Sequence, residues 1–283
     1  MSQERGQSRL FWVMVSRRRW LRTVTALIPP VTLSVAGAIA GLLCVRALVP
    51  AELLRASNDE IGNYLQTLGT IYAVLLAFVV FVVWNQFNMT RELVEKEANE
   101  VLDLFRTAKG FSPDVRRPVQ HQLRAYVEEV LRHEWPAMAL GKELSEEAGE
   151  PLDRLWSLLV RFEPVSECHG ALYGQMLERF NDLSDMRASR VLASRIRIPI
   201  ALRILLYAGA FMTIASTYLF AIDSLAVHAI IASALAGAIS HVIYVITDLD
   251  RCFAGDWQVP RAGFERVQRY MERPDVEVSA RSA

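Results

Sequence analysis

Cys168 and His169 stand side by side, the two residue types from which a thiolate nucleophile and its general base are made. On a helix, however, sequence neighbours point about 100° apart, and no third group to orient the imidazole is apparent. His121, His133 and His169 lack a spacing such as HxxxH, and the three cysteines, Cys44, Cys168 and Cys252, are widely separated with no CxxC. That pattern argues against a zinc site and against a disulfide framework. Glu134-Trp135-Pro136 follows a long amphipathic stretch and reads as a packed helix end.

Asp248, Asp250 and Asp256 gather around Gly255 after the last apolar segment. A hard cation such as calcium takes several oxygens, and these acids are the residues it would use. Arg251 stands among them, so salt bridges with Arg187, Arg190 or Arg195 are the stronger expectation. His228 and His241 fall in an apolar segment, where ionisable groups mark function by default. His228, nearer one end, is expected to reach water. His241 is expected to be a packed neutral imidazole bonded to Ser240 or a neighbouring helix. No catalytic constellation emerges, so an enzyme is not expected, nor is any cofactor.

The sharpest pattern is positional. Ile61 to Met89 carries no charge, and no Pro or Gly interrupts the chain from Thr70 to Lys109. A single helix of about 40 residues would be about 60 Å long, twice a hydrocarbon core of about 30 Å. Along it Ile71, Leu75, Phe78 and Val82 share one face with Asn85 continuing the line, while Gly69, Ala73 and Ala77 hold the opposite face. Bulky apolar residues in a row could form a constriction that gates by dewetting. An ordinary bundle core or lipid face has the same pattern.

The rest of the chain must position that helix. Hydrophobic residues make up 52% and charged residues 22%, and the charge is segregated into blocks, which points to a membrane domain plus a modest polar one. Net charge is zero, so nothing suggests nucleic acid. Residues 1–25 are basic and resemble an interfacial helix with Trp12 and Trp20 at headgroup level, or a positive tail. Residues 26–89 hold the first two membrane helices. The first spans Leu27 to Val49, with Pro29 and Pro30 in its first turn and a GxxxG at Gly37 and Gly41 for close helix approach.

Residues 90–197 are expected to fold as a helical domain, with helices over 90–109, 113–140, 144–163 and 166–197. Residues 198–247 hold a hairpin of two further spans separated only by Asp223 and Ser224. The tail, 248–283, holds one helix over 260–273 and a polar end. The fold class is therefore all-α: an integral membrane protein with four transmembrane helices and a helical cytoplasmic domain. Arginines crowd residues 17–22 and 187–203 and recur at Arg251, whereas the opposite loops hold only Arg46 and Arg55. The positive-inside rule then puts both termini and residues 90–197 in the cytoplasm of a cell inner membrane.

Three stretches carry a resemblance. They are EKEANEVLDLFRTAKGFSPDVRRPVQHQLRAYVEEVLRHEWPAM, DLSDMRASRVLASRIRIPIALRILLYAGA and VITDLDRCFAGDWQVPRAGFERV. In this order they resemble the bestrophin-like domain family of four-helix membrane proteins, over roughly residues 60–271. Cys252 stands where that family usually has a proline. The resemblance implies a unit distantly similar to the bestrophin ion channels, which are pentamers around a central pore. Two functions are thus weighed. One is an oligomeric ion channel in the lipid bilayer, a homo-oligomer passing inorganic ions with a lean to anions. The other is a non-conducting scaffold or signalling protein that acts through its cytoplasmic helices.

Overall fold

A computed structural model of the chain describes residues 2–55, 58–164 and 166–273, with side chains from residue 24 on except at 51, 53, 146 and 168. The side chains of the basic segment up to residue 23, with Trp12 and Trp20, the Cys168 thiol and the polar end after 273 lie outside the described residues. The described chain is helical: α1 (Ser2–Leu48), α2 (Ala51–Arg55), α3 (Asn58–Thr107), α4 (Pro113–Glu129), α5 (Trp135–Ala139), α6 (Glu150–Val160), α7 (Glu167–Arg195), α8 (Ile200–Thr217), α9 (Leu225–Leu249) and α10 (Ala262–Met271). Among the described residues four segments are long and apolar enough to cross a membrane: Val24–Leu48, Asn58–Gly110, His169–Thr217 and Leu225–Leu249.

Contacts divide the chain into two compact units. The first comprises residues up to 86 with 197–250 and 255–257. Its core is built where small residues let rings come close. A Cβ on Gly209 of α8 would stand 2.5 Å from the Tyr72 ring, and one on Gly41 of α1 would stand 2.8 Å from Tyr218. Tyr72 packs with Ala210 and Ile239 and donates its hydroxyl to the Leu206 carbonyl at 2.9 Å. Within a membrane a buried hydroxyl needs such a partner, because no water can replace it. Helix α9 lies along α1: Ser34 donates to the Ala236 carbonyl, Ser240 donates to the Pro30 carbonyl, and Gly237 stands beside Val31 and Val35.

Three expectations change here. Pro29 and Pro30 do not open the first span but lie inside α1, which already runs from Ser2. They supply no N–H to the turn before them, and Thr32 donates its hydroxyl back to the carbonyls of Ile28 and Pro29. Of the glycine pair, only Gly41 makes a close approach; no atom lies within 4 Å of a Cβ on Gly37. The α8–α9 connection is also longer than two residues. Helix α8 ends at Thr217 in a turn in which Tyr218, Leu219 and Phe220 each donate three residues back. Ser224 then caps α9 by accepting from the Val227 N–H.

The second unit comprises residues 87–196 with 251–254 and those from 258 on. Apolar residues recur at helical spacing along its part of α3: Val94, Ala98, Val101 and Phe105 are buried, and Leu93 and Leu102 are half-buried. Helix α4 starts at a proline and passes through a π-turn, Val130–Glu134, into α5. Pro136 has no N–H to return to residue 132, and the wider turn takes up that break: the Trp135 N–H donates five residues back to Val130. The helix therefore continues to Ala139, close to the end of the 113–140 helix expected from the sequence, with Glu134-Trp135-Pro136 in its last turns. There Gly141, at φ +65°, closes it, with Gly141 N–H donating to Met138 and Lys142 N–H to Ala137.

Candidate functional site

Helix α3 meets the core of the first unit through Tyr72, Val79 and Val83, at 4%, 1% and 0% exposure. The row singled out by sequence lies about 100° round the helix from that stripe. Ile71 is 64% exposed, Phe78 56% and Val82 37%. Asn85 is exposed as well. Leu75 lies between row and stripe and is partly buried against the Tyr72 cluster. The small face is no more covered: Ala73 and Ala77 are exposed, and no atom lies within 4 Å of a Cβ on Gly69. The chain thus holds α3 by one stripe and leaves both flanking faces open. The other spans are similarly bare, since none buries more than 22% of its most apolar stretch inside the chain.

The three aspartates do not converge on a point. Asp248 accepts from the N–H groups of Asp256 and Trp257 at 3.1 and 2.7 Å, and its carboxylate fills the space a Cβ on Gly255 would need. Gly255 has φ +81°, which glycine adopts without strain. Asp250 accepts from the Ile198 N–H at 2.7 Å and pairs with Arg203 at 3.4 Å, while Asp256 accepts from the Tyr244 hydroxyl. Among the described residues no group of three His, Cys, Asp or Glu side chains is arranged to hold a metal. The arginine that pairs with one of these acids is Arg203, not the expected Arg187, Arg190 or Arg195. Arg187 and Arg190 are engaged elsewhere, and Arg195 is exposed.

Their partners form a buried ionic cluster in the second unit that sequence reasoning missed. Arg190, fully buried, donates Nε to Glu97 at 2.6 Å and Nη2 to Glu97 at 3.0 Å, and also pairs with Glu134. Arg187 donates Nε and Nη2 to the outer oxygen of Glu134 at 2.9 and 2.6 Å. Tyr126 donates its hydroxyl to Glu97, and the Arg190 guanidinium lies 5.9 Å from the Phe264 ring. Two carboxylates face two guanidiniums, so the formal charges cancel. Burial works against the Arg190 charge, but Glu97 foremost, with Glu134, overcomes it and lifts the pKa above the usual arginine value. Burial and Glu97 push the Tyr126 phenol well above its ordinary range. A signal for the cluster was present. Arg187 and Arg190 continue the apolar stripe of Met176, Phe180 and Leu183 on α7, and Glu97 interrupts the one on α3.

The two histidines exchange expected roles. His228 is 1% exposed, with Nε2 2.8 Å from the Thr217 carbonyl, whereas His241 is exposed.

The fold and its membrane-length helices define a class, all-helical proteins with four candidate spans, and the comparisons narrow it. The chain belongs to the Bestrophin-like domain family, which it matches over residues 32–264. Solved structures agree in fold. A bacterial bestrophin homologue from Klebsiella pneumoniae, in a single-residue variant, superposes with a TM-score of 0.66 at 14% identity, covering 87% of this chain and 98% of that one. A structure described as a membrane protein gives 0.65 at 16%, covering 87% and 97%. A further Klebsiella pneumoniae homologue structure gives 0.64 at 14%, covering 86% and 96%. No curated protein matches the sequence closely enough to count as a relative.

Proposed function

We propose that this protein is the subunit of an oligomeric, bestrophin-like ion channel, with α3 lining the pore. The observation that carries the proposal is the exposure of Ile71, Phe78 and Val82 on a helix whose core stripe lies elsewhere. Bulky apolar groups left open by the chain need hydrocarbon, another copy or a narrow dry lumen around them. Gly69, Ala73 and Ala77 occupy the opposite, small face of α3 and suit close packing there, which leaves the bulky row free to project toward a common axis. A ring of five is the number the family resemblance suggests. Such a neck holds water poorly and limits conduction there. Residues 90–197 form the cytoplasmic domain, with both termini on that side of an inner membrane. Arg195 at the cytoplasmic mouth favours anions by charge. Arg187 and Arg190 add little to that lean, because Glu97 and Glu134 neutralise them.

The test is ion flux into liposomes. Wild type should exceed empty liposomes, and Phe78→Ala should exceed wild type by widening and rewetting the neck. If neither exceeds empty liposomes while the oligomer is intact, the protein is instead a non-conducting scaffold. Orientation is tested separately in intact cells, with an impermeant thiol reagent and a Cys-free background. Ser57→Cys should label and Ser145→Cys should not; the reverse pattern overturns the orientation.

A further inference from the structure

Between α1, α8 and α9, within the first unit, lies a hollow of about 410 Å³ that the channel reading does not use. Its floor includes Ala210 and Ile239, and Leu33 and Tyr207 stand exposed at its rim. The wall carries hydroxyls, yet they are directed into the protein. Ser34 donates to the Ala236 carbonyl, Ser240 to Pro30, Thr247 to Ile243 and Tyr244 to Asp256. Apart from the Tyr207 hydroxyl at the rim, an occupant therefore meets a surface that asks for no hydrogen bonds from it. Water would lack the two to four polar partners it needs, and an empty hollow would forfeit dispersion contacts along its whole lining.

One end of the hollow differs. Arg203, Tyr207, Ala210 and Ile214 follow one another at helical spacing on one face of α8, so Arg203 extends the wall by a turn beyond Tyr207. Asp250 extends the α9 wall from Thr247 in the same way. The two meet in an ion pair of 3.4 Å in which Arg203 remains 45% exposed. A guanidinium has five N–H donors, and this single long contact leaves most of them for another acceptor. Tyrosine beside it is the residue type of a membrane interface.

We infer that this groove binds a glycerophospholipid, one acyl chain lying between α1, α8 and α9 and the phosphodiester meeting Arg203. The inference rests on the helices spanning a membrane and is independent of conduction. It is tested on the full chain in vesicles of phosphatidylethanolamine and phosphatidylglycerol, doped with phosphatidylglycerol bearing a diazirine on an acyl chain. After irradiation, adducts should gather at 207–214 and 239–247, several-fold above Leu43 and Ile230, which are exposed elsewhere on α1 and α9. Ala210→Phe should remove the excess while leaving Leu43 and Ile230 labelled. Ser240→Leu serves the same purpose from the opposite wall if Ala210→Phe does not fold. Arg203→Gln should lower phosphatidylglycerol retained in native mass spectrometry roughly tenfold, the size of one charge-assisted hydrogen bond. Labelling equal to that of Leu43 and Ile230, unchanged by the filling substitution, would mean ordinary surrounding lipid and overturn the site. So would protection of the groove by cross-links to a second copy.

Discussion

The two units invert each other. In the first, the residues at the surface are the ones ordinary proteins hide: Ile71, Val74, Phe78 and Phe81 are each more than half exposed, and the core is made where glycine admits a tyrosine ring. In the second, the residues at the centre are the ones ordinary proteins display, with Arg190, Glu97 and Glu134 at 0% exposure. The difference teaches what surrounds each. An apolar exterior costs nothing in hydrocarbon, where packing rather than hydrophobicity holds helices together. Charges can be buried only if each finds a charged, hydrogen-bonded partner, and removing one partner strands the other.

Substitutions can break or sharpen that contrast. The largest effect is expected for Arg190→Ala, which leaves Glu97 and Glu134 buried without their shared partner and should cost about 3–5 kcal/mol. Chemical unfolding of the detergent-solubilised protein measures it, and a loss below about 1 kcal/mol, in the range of an exposed pair, would show the cluster to be solvated. Arg91→Pro removes one helical hydrogen bond at an exposed position of α3 and should cost about 3 kcal/mol or more. Unchanged helicity, oligomer size and melting temperature would mean α3 is not continuous through Arg91.

Gly209→Ala places a methyl group against the Tyr72 ring and should cost about 1–3 kcal/mol, the usual penalty of overpacking. A neutral result in thermal melting would mean α8 and α3 are not in that contact. Smallest of all should be Phe78→Ala, within about 0.5 kcal/mol as for other surface sites, even as flux through the liposomes rises. A loss of about 3–5 kcal/mol, the cost of emptying a core phenylalanine, would instead put Phe78 in a packed interior.

The connection between sequence and structure was legible where one periodicity sufficed. The uncharged run from Ile61 to Met89 has the length of a span, and the stripe Val94, Ala98, Val101, Phe105 has the spacing of a buried face. Helix ends were less legible. Pro29 and Pro30 looked like a helix start because proline suits a first turn, yet the chain before them is helical too. Pro136 falls inside the helix expected over 113–140, but the spacing gave no sign of the π-turn that carries the helix past it.

Length, apolarity and spacing are local properties, and the sequence alone determined their direct consequences: among the described residues, four membrane-length helices, no strand, and one uninterrupted helix beginning in the membrane segment. Only the tertiary structure decided the pairings. The apolar stripe of α7 marks Arg190 for burial, but nothing local names Arg203 as the partner of Asp250 or distinguishes His228 from His241 as the buried imidazole. Glu97 and Arg190 are 93 residues apart. Their meeting depends on which stripes of α3, α4 and α7 face one another, a choice made by the packing of all three at once.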